Sequence, residues 1–358
     1  MAALSIRVPR FTLALAALAL PVALATASVA AARPAGGANP SPPAAAADVR
    51  GGIGIAAGGE LQYLTPADLA RELDGYARVG AAWIRFDFNW SGIERQKGVY
   101  DWSRHDAVVD AATARGLRVL GLIAYTPAWA RPPGTDNKHA PTDVKDYASF
   151  VGEAVRRYAP RGVRHWELWN EPNHSGFWKP CPDVKRYTSL LRLGSAAARS
   201  ADPAAFVLAG GMSPAVDNGC NVAPRTFLAG IYANGGKGSF DALAHHPYSF
   251  PAEPGTPHAW SAWHQMVGTS PSLRSIMVEN GDADKAIWAT EWGVKVGSVD
   301  ERTQADMLTR AYSLFGSYSW AGPMFTYTYR DRDSFGLVRS DWSPRPAWAA
   351  FQAAALVR

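Results

Sequence analysis

Ionisable side chains collect at the ends of several short apolar runs in this chain. Arg85-Phe86-Asp87 ends AWIRFD, Asn170-Glu171 follows RHWELW, His245-His246-Pro247-Tyr248 follows DALA, and Glu291-Trp292 follows AIWAT. The two glutamates stand out, because each sits among aromatic residues while a glutamate ordinarily belongs on a solvated face. Paired carboxylates can share one substitution reaction, the acid protonating a leaving oxygen while the ionised partner attacks carbon from the opposite side. Other chemistries find no footing. The eight histidines show no metal-ligand spacing, and adjacent His245 and His246 would face opposite sides of a strand. No Gly-x-Ser-x-Gly elbow, Walker A sequence or Gly-x-Gly-x-x-Gly fingerprint is present, so neither a serine triad nor a nucleotide cofactor is expected.

The elements that must position these residues follow from periodicity. Short apolar runs at 52–56, 82–87, 118–124, 164–169, 206–210, 241–246, 286–290 and 323–329 read as strands and alternate with helical patterns. Thr65-Pro66-Ala67-Asp68 carries a cap, a proline and an acid for a helix start; Ser103 and Asp106 repeat the cap and acid, with Gly116 closing that helix. Apolar residues from Val144 to Tyr158 keep helical spacing, and further helices are expected from about Val299 to Ser317 and from about Pro346 to Leu356. Eight β-then-α units over residues 50–358 predict a single (β/α)8 TIM barrel, with a doubly wound open sheet as the competitor. In a barrel, chemistry belongs at the C-terminal ends of strands, which is where the polar residues fall.

Three segments carry a resemblance. WELWNEPN, DALAHHPY and IWATEWG resemble the strand-four, strand-six and strand-seven motifs of clan A glycoside hydrolases, which are retaining (β/α)8-barrel enzymes. GAAWIRFDFNWSGIERQKGVYDW and FGLVRSDWSPRPAWAAF resemble the strand-two and strand-eight regions of the same group. WELWNEPN…FWKP followed by YTSLLR is most similar to family 39 and, closer still, to PslG-type bacterial endoglycosidases. The resemblance implies that Glu171 is the acid/base and Glu291 the nucleophile. It further implies that Asn170 bonds the sugar 2-hydroxyl, that Tyr248 orients Glu291, and that His246 and Arg85 line the same subsite. Elementary electrostatics agrees: a cationic Arg85 near Glu291 would keep it ionised, and aromatic neighbours would strip water from Glu171 and favour its proton. Carboxyls about 5–5.5 Å apart retain configuration and those roughly 6.5–9.5 Å apart invert it. Two departures stand out. Strand three ends in Tyr125-Thr126-Pro127 without the histidine common in cellulase-like relatives, which counts against a cellulase. Family 39 xylosidases also tend to carry an added β-sandwich, whereas little chain follows the last helix here, so an open groove and internal cleavage are expected.

Fourteen tryptophans suit a sugar-binding cleft, with Trp292, Trp178 and Trp90 the candidate subsite rings. Residues 1–32 read as a signal peptide, Arg7 and Arg10 preceding an apolar run, with an uncleaved anchor as the alternative. Residues 33–49, rich in Ala, Pro and Gly, read as a disordered tether. Export to an oxidising compartment makes Cys181 and Cys220 an expected disulfide, two unpaired thiols being the alternative. The formal charge of +5 contains no basic run, so no nucleic-acid partner is expected. The expected protein is a secreted or envelope-associated bacterial monomer that acts on a poly- or oligosaccharide without metal or cofactor. A transglycosylase using the same glutamates and a silent carbohydrate-binding barrel are the alternatives.

Overall fold

The computed structural model describes residues 52–356; the expected signal peptide and tether lie outside them. Eight parallel strands close into a barrel in chain order: β1 (Ile53–Ala56), β2 (Trp83–Asn89), β3 (Arg118–Ala124), β4 (His165–Asn170), β5 (Phe206–Met212), β6 (Ala242–His245), β7 (Ile287–Trp292) and β8 (Ala321–Tyr327). Each corresponds to one expected run, with ends shifted by a few residues. Closure between β1 and β8 pairs Ile53 with Met324 and Ala56 with Tyr327, so no sheet edge is left open.

The helices follow from their caps and faces. In α1 (Pro66–Arg78) the Thr65 hydroxyl accepts from the Asp68 amide, as the sequence led us to expect. A short α2 (Trp90–Ile93) extends β2. The start of α3 (Ser103–Thr113) differs from expectation: Ser103 is already inside the helix, and Asp101 accepts from its amide and hydroxyl. Asp106 instead pairs with Arg157 and Arg161, joining α3 to α4 (Val144–Tyr158) and the turn beyond it. The ring continues through α5 (Val184–Ala201), α6 (Pro224–Ala233), α7 (Ala262–Val267), α8 (Leu273–Glu279), α9 (Glu301–Gly316) and α10 (Pro346–Leu356).

Two apolar layers result from the alternation of strand side chains. Trp83, Leu120, Phe206, Leu208, Trp288 and Phe325 plug the lower barrel. A larger shell between strands and helices holds Ile84, Phe86 and Phe88 of β2 together with Tyr147, Phe150 and Tyr158 of α4. The plug closes the bottom of the barrel, so only the upper rim is open to chemistry.

Candidate active site

On β2 the residues two apart, Trp83, Arg85 and Asp87, face inward, and each step climbs from the apolar plug toward the rim. Arg85 is the hub. It is 1 % exposed and donates Nε to Glu167 Oε2 at 2.7 Å, Nη2 to Glu167 Oε1 at 3.0 Å, Nη2 to Asn170 Oδ1 at 2.9 Å and Nη1 to Glu291 Oε1 at 2.5 Å. Glu167 also accepts from the Gly211 amide at 2.8 Å, which clamps it from β5. A side chain at Gly211 would collide with this layer, since its Cβ would lie 2.3 Å from His246 Nε2 and 2.7 Å from Glu167 Oε1.

Regular alternation would send Asn170 and Glu171 to opposite faces. The backbone breaks it: Trp169 has φ 76° and Glu171 has φ 46°, both left-handed. Such conformations cost a non-glycine residue about 1–3 kcal/mol and persist where surrounding contacts impose them. Here the Trp169 indole donates to Phe177 O on the outer side, and the Glu171 amide donates to Gly211 O. Asn170 thereby stays on Arg85 while Glu171, next in sequence, turns its carboxylate to His246 Nδ1 at 2.9 Å.

His246 follows β6 and bridges the two glutamates, its Nδ1 lying 3.7 Å from Glu291 Oε2. Its Nε2 faces the Arg85 guanidinium at 3.5 Å, which can only donate, so Nδ1 carries the proton toward Glu171. Tyr248 donates its hydroxyl to Glu291 Oε2 at 3.1 Å. Burial opposes charge on both His246 and Glu291, but mutual attraction wins. Glu291 sits below its ordinary pKa because of the His246 and Arg85 charges and the bonds from Arg85 and Tyr248. His246 sits above its own because of the charges of Glu291 and Glu171 and the bond to Glu171. Polar atoms of Glu171, His246 and Glu291 all lie within 4.8 Å of one another. Three such atoms can hold a metal ion in principle. Here Arg85, Tyr248 and the imidazole already occupy the inward lone pairs, and a cation would meet the Arg85 guanidinium.

The arrangement thus brings together Arg85, Asn170, Glu171, His246, Tyr248 and Glu291 from four strand ends. It does not bring the tryptophans. Trp292 is fully buried on the outer face of β7, its ring 6.2 Å from that of Trp263, because neighbours on a strand face opposite ways and Glu291 takes the inner side. Trp178 packs on Trp169 and Tyr187 at 1 % exposure. Trp90 packs among Trp129, Tyr147 and Phe150 and donates to Glu94 Oε2. The reading of these three rings as sugar platforms is therefore corrected: their faces are covered by the shell between strands and helices.

Sequence reasoning missed Glu167, whose signal was a carboxylate in mid-strand at the same inward parity that Arg85 has on β2. It also missed Lys138, whose ammonium lies 3.8 Å over the Phe177 ring and whose pKa burial pulls down. Cys181 and Cys220 do form a disulfide, Cα atoms 5.1 Å apart, tying the loop after β4 to the loop after β5. Asn173 reinforces the tie, its amide donating to Ser213 O and Val222 O while its Oδ1 accepts from Ser213 N.

The closed parallel barrel, with a carboxylate pair, an arginine hub and a bridging histidine at its C-terminal rim, places the chain in the class of (β/α)8 TIM barrels with ionisable residues gathered at the strand ends. The chain belongs to the cellulase family, glycosyl hydrolase family 5, whose family model matches residues 55–322. The missing histidine after β3, which counted against a cellulase in the sequence, does not keep the chain out of this family. A β-xylosidase of Geobacillus stearothermophilus is 24% identical over 346 residues, covering 84% of this chain and 66% of that protein. A family 39 glycoside hydrolase from Bacteroides cellulosilyticus WH2 superposes with TM-score 0.67 at 25% identity, covering 87% of this chain and 64% of that one. A monomeric β-xylosidase from Caulobacter crescentus CB15 superposes with TM-score 0.62 at 21% identity over 85% and 69% of the two chains. The clan A resemblance and its lean toward family 39 are borne out. The chain spans just under two thirds of the length of the first two relatives.

Proposed function

We propose that the protein is an exported retaining glycoside hydrolase that cleaves O-glycosidic bonds of a poly- or oligosaccharide by double displacement. The observation that carries the reading is the approach of one Glu171 and one Glu291 carboxylate oxygen to within 4.8 Å, which supports the short-separation, retaining geometry over the wider inverting one. In the first step Glu291 attacks the anomeric carbon, the glycosidic C–O bond breaks, and Glu171 gives its proton to the leaving oxygen. A glycosyl ester on Glu291 results. In the second step Glu171 takes a proton from water, the water oxygen attacks the same carbon, and the ester bond breaks to restore both carboxyl groups. Glu171 Oε1 accepts from His246, leaving Oε2 to carry the transferable proton. Arg85 and Tyr248 hold Glu291 ionised and aimed, and Asn170, fixed by Arg85, offers its amide to the sugar 2-hydroxyl. The disulfide supports export.

The test is a polysaccharide panel with product sizing, followed by proton NMR of the first-formed anomer. Retention of configuration, with Glu171→Gln and Glu291→Gln each folded and inactive, is the expected outcome. An inverted first product would overturn the double displacement, and near wild-type rates in either variant would overturn the roles. Product sizing also checks internal cleavage, which gives oligosaccharide ladders where terminal trimming gives single sugars. A sugar-transfer product in place of the hydrolysed one would identify a transglycosylase.

A further inference from the structure

Asp87 is a third carboxylate in the cleft, and the double displacement leaves it without a task. It stands one inward step above Arg85 on β2, nearer the rim, and is 6 % exposed. Its backbone oxygen faces His105 Nε2 at 3.2 Å, but among the described residues its carboxylate has no hydrogen-bond or ion-pair partner. This contrasts with Glu167, Glu171 and Glu291, each of which is bonded. Both carboxylate oxygens keep contact with solvent in the cleft, which leaves their lone pairs free to accept from a ligand.

The surroundings say what kind of ligand. Burial pushes the Asp87 pKa up to about 6, against the pull of Arg85 and Lys138 and with the push of Glu291 and Glu167. An anionic group would meet Asp87, Glu171 and Glu291 together. A cation would compete with Arg85, which already pairs with Glu291 and with Glu167 beneath it. Neutral donors remain, and a carboxylate with two open oxygens matches two neighbouring hydroxyls. From the loop after β1, Gly59 lies against Oδ2, where a Cβ would come within 2.8 Å, so only a glycine there keeps a side chain off the carboxylate.

Building on the glycosidase reading, we propose that Asp87 binds substrate directly, its two carboxylate oxygens accepting from adjacent hydroxyls of the sugar ring seated against Glu291. The ring in that subsite is then a neutral pyranose with its hydroxyl pair free, and the enzyme rejects sugars that carry an acidic substituent or an ether there. Asp87 acts as a specificity-determining residue, opposite in role to Asn170, which meets the same ring from β4.

The experiment compares wild type, Asp87→Asn and Asp87→Ala on the 4-nitrophenyl glycoside of the smallest unit that wild type releases from the polysaccharide panel, and on its 3-, 4- and 6-deoxy counterparts. Removing a group that hydrogen-bonds substrate hydroxyls is expected to lower kcat/KM about 100-fold for the parent glycoside. Deleting a contacted hydroxyl should penalise wild type comparably but Asp87→Ala by less than about threefold, since that contact is already gone. Thermal unfolding supplies an independent reading. A carboxyl whose pKa is raised on folding contributes stability below its unfolded value and loses that contribution as pH rises through about 6. Asp87→Asn should therefore unfold at the same temperature as wild type or higher at pH 8, where a merely structural carboxylate would leave it less stable. Wild-type kcat/KM in Asp87→Ala, or equal penalties from every deoxy analogue in both proteins, would overturn the inference and leave the glycosidase reading standing. Failure of wild type to cleave any member of the panel would end both.

Discussion

Glu167→Gln removes one charge from beneath the site and leaves side-chain volume nearly unchanged. In wild type Oε1 accepts from Arg85 Nη2 and from the Gly211 amide, while Oε2 accepts from Arg85 Nε. A glutamine can keep its oxygen at the first position, but its NH2 then faces the Arg85 Nε–H, donor against donor. Turning the amide over places NH2 against two donors instead, which is worse. Glu167 is fully buried and Arg85 is 1 % exposed, so water cannot repair the mismatch. Breaking a buried pair by removing one partner costs 3–5 kcal/mol, and Arg85 keeps Glu291 as a second counter-ion, so the loss should be about 3 kcal/mol. For a domain of this size that corresponds to about 6 °C in Tm. Arg85 also sets Glu291 at 2.5 Å and Asn170 at 2.9 Å, and an arginine displaced by about 1 Å should lower kcat/KM about 100-fold. The assay is scanning calorimetry beside steady-state kinetics at 25 °C, where the variant remains folded. A Tm within about 1 °C of wild type together with kcat/KM within about twofold would refute the view that Glu167 holds the hub.

The remaining predictions concern charge, loops and packing. His246→Asn removes the imidazole that lies 3.7 Å from Glu291 and helps to hold its pKa down, so the Glu291 pKa rises and the acid limb of the kcat/KM profile moves to higher pH; a limb that stays in place or moves down refutes the electrostatic account. Cys181→Ser with Cys220→Ser opens a cross-link spanning 39 residues, worth roughly 4 kcal/mol at best in the chain-entropy model, and should lower Tm under non-reducing conditions; an unchanged Tm would show that the Asn173 bonds suffice. Trp178→Ala, at a ring packed on Trp169 and Tyr187, should destabilise by about 3–5 kcal/mol, and a pure rise in KM without loss of stability would return it to the cleft.

Periodicity and strand-end chemistry were enough to read the barrel and most of the rim. Eight apolar runs alternating with capped helices imply a closed parallel sheet, because that arrangement buries every run and leaves no edge. Arg85, Asn170, Glu171, His246, Tyr248 and Glu291 were legible because each is polar just where an apolar run stops. Linear pattern failed in two ways. The tryptophans lie at the right places along the chain, but the way a side chain faces depends on parity within its own strand, and Trp292 next to Glu291 must turn outward. Glu167 sits inside a strand, where nothing local separates a structural carboxylate from a chemical one until Arg85 arrives from β2.

The residue types and their order therefore determined the architecture and the cast of the site, through hydrophobic period and the placement of charge. Tertiary structure decided the rest. Left-handed backbone at Trp169 and Glu171 puts two successive residues on one face, and closure of the barrel brings Glu171 and Glu291 within 4.8 Å. Asp87 is left facing the cleft, with no bond to its carboxylate among the described residues. A separation in space and an unfilled hydrogen bond are properties of contacts between distant segments, and contacts of that kind exist only once the barrel has closed.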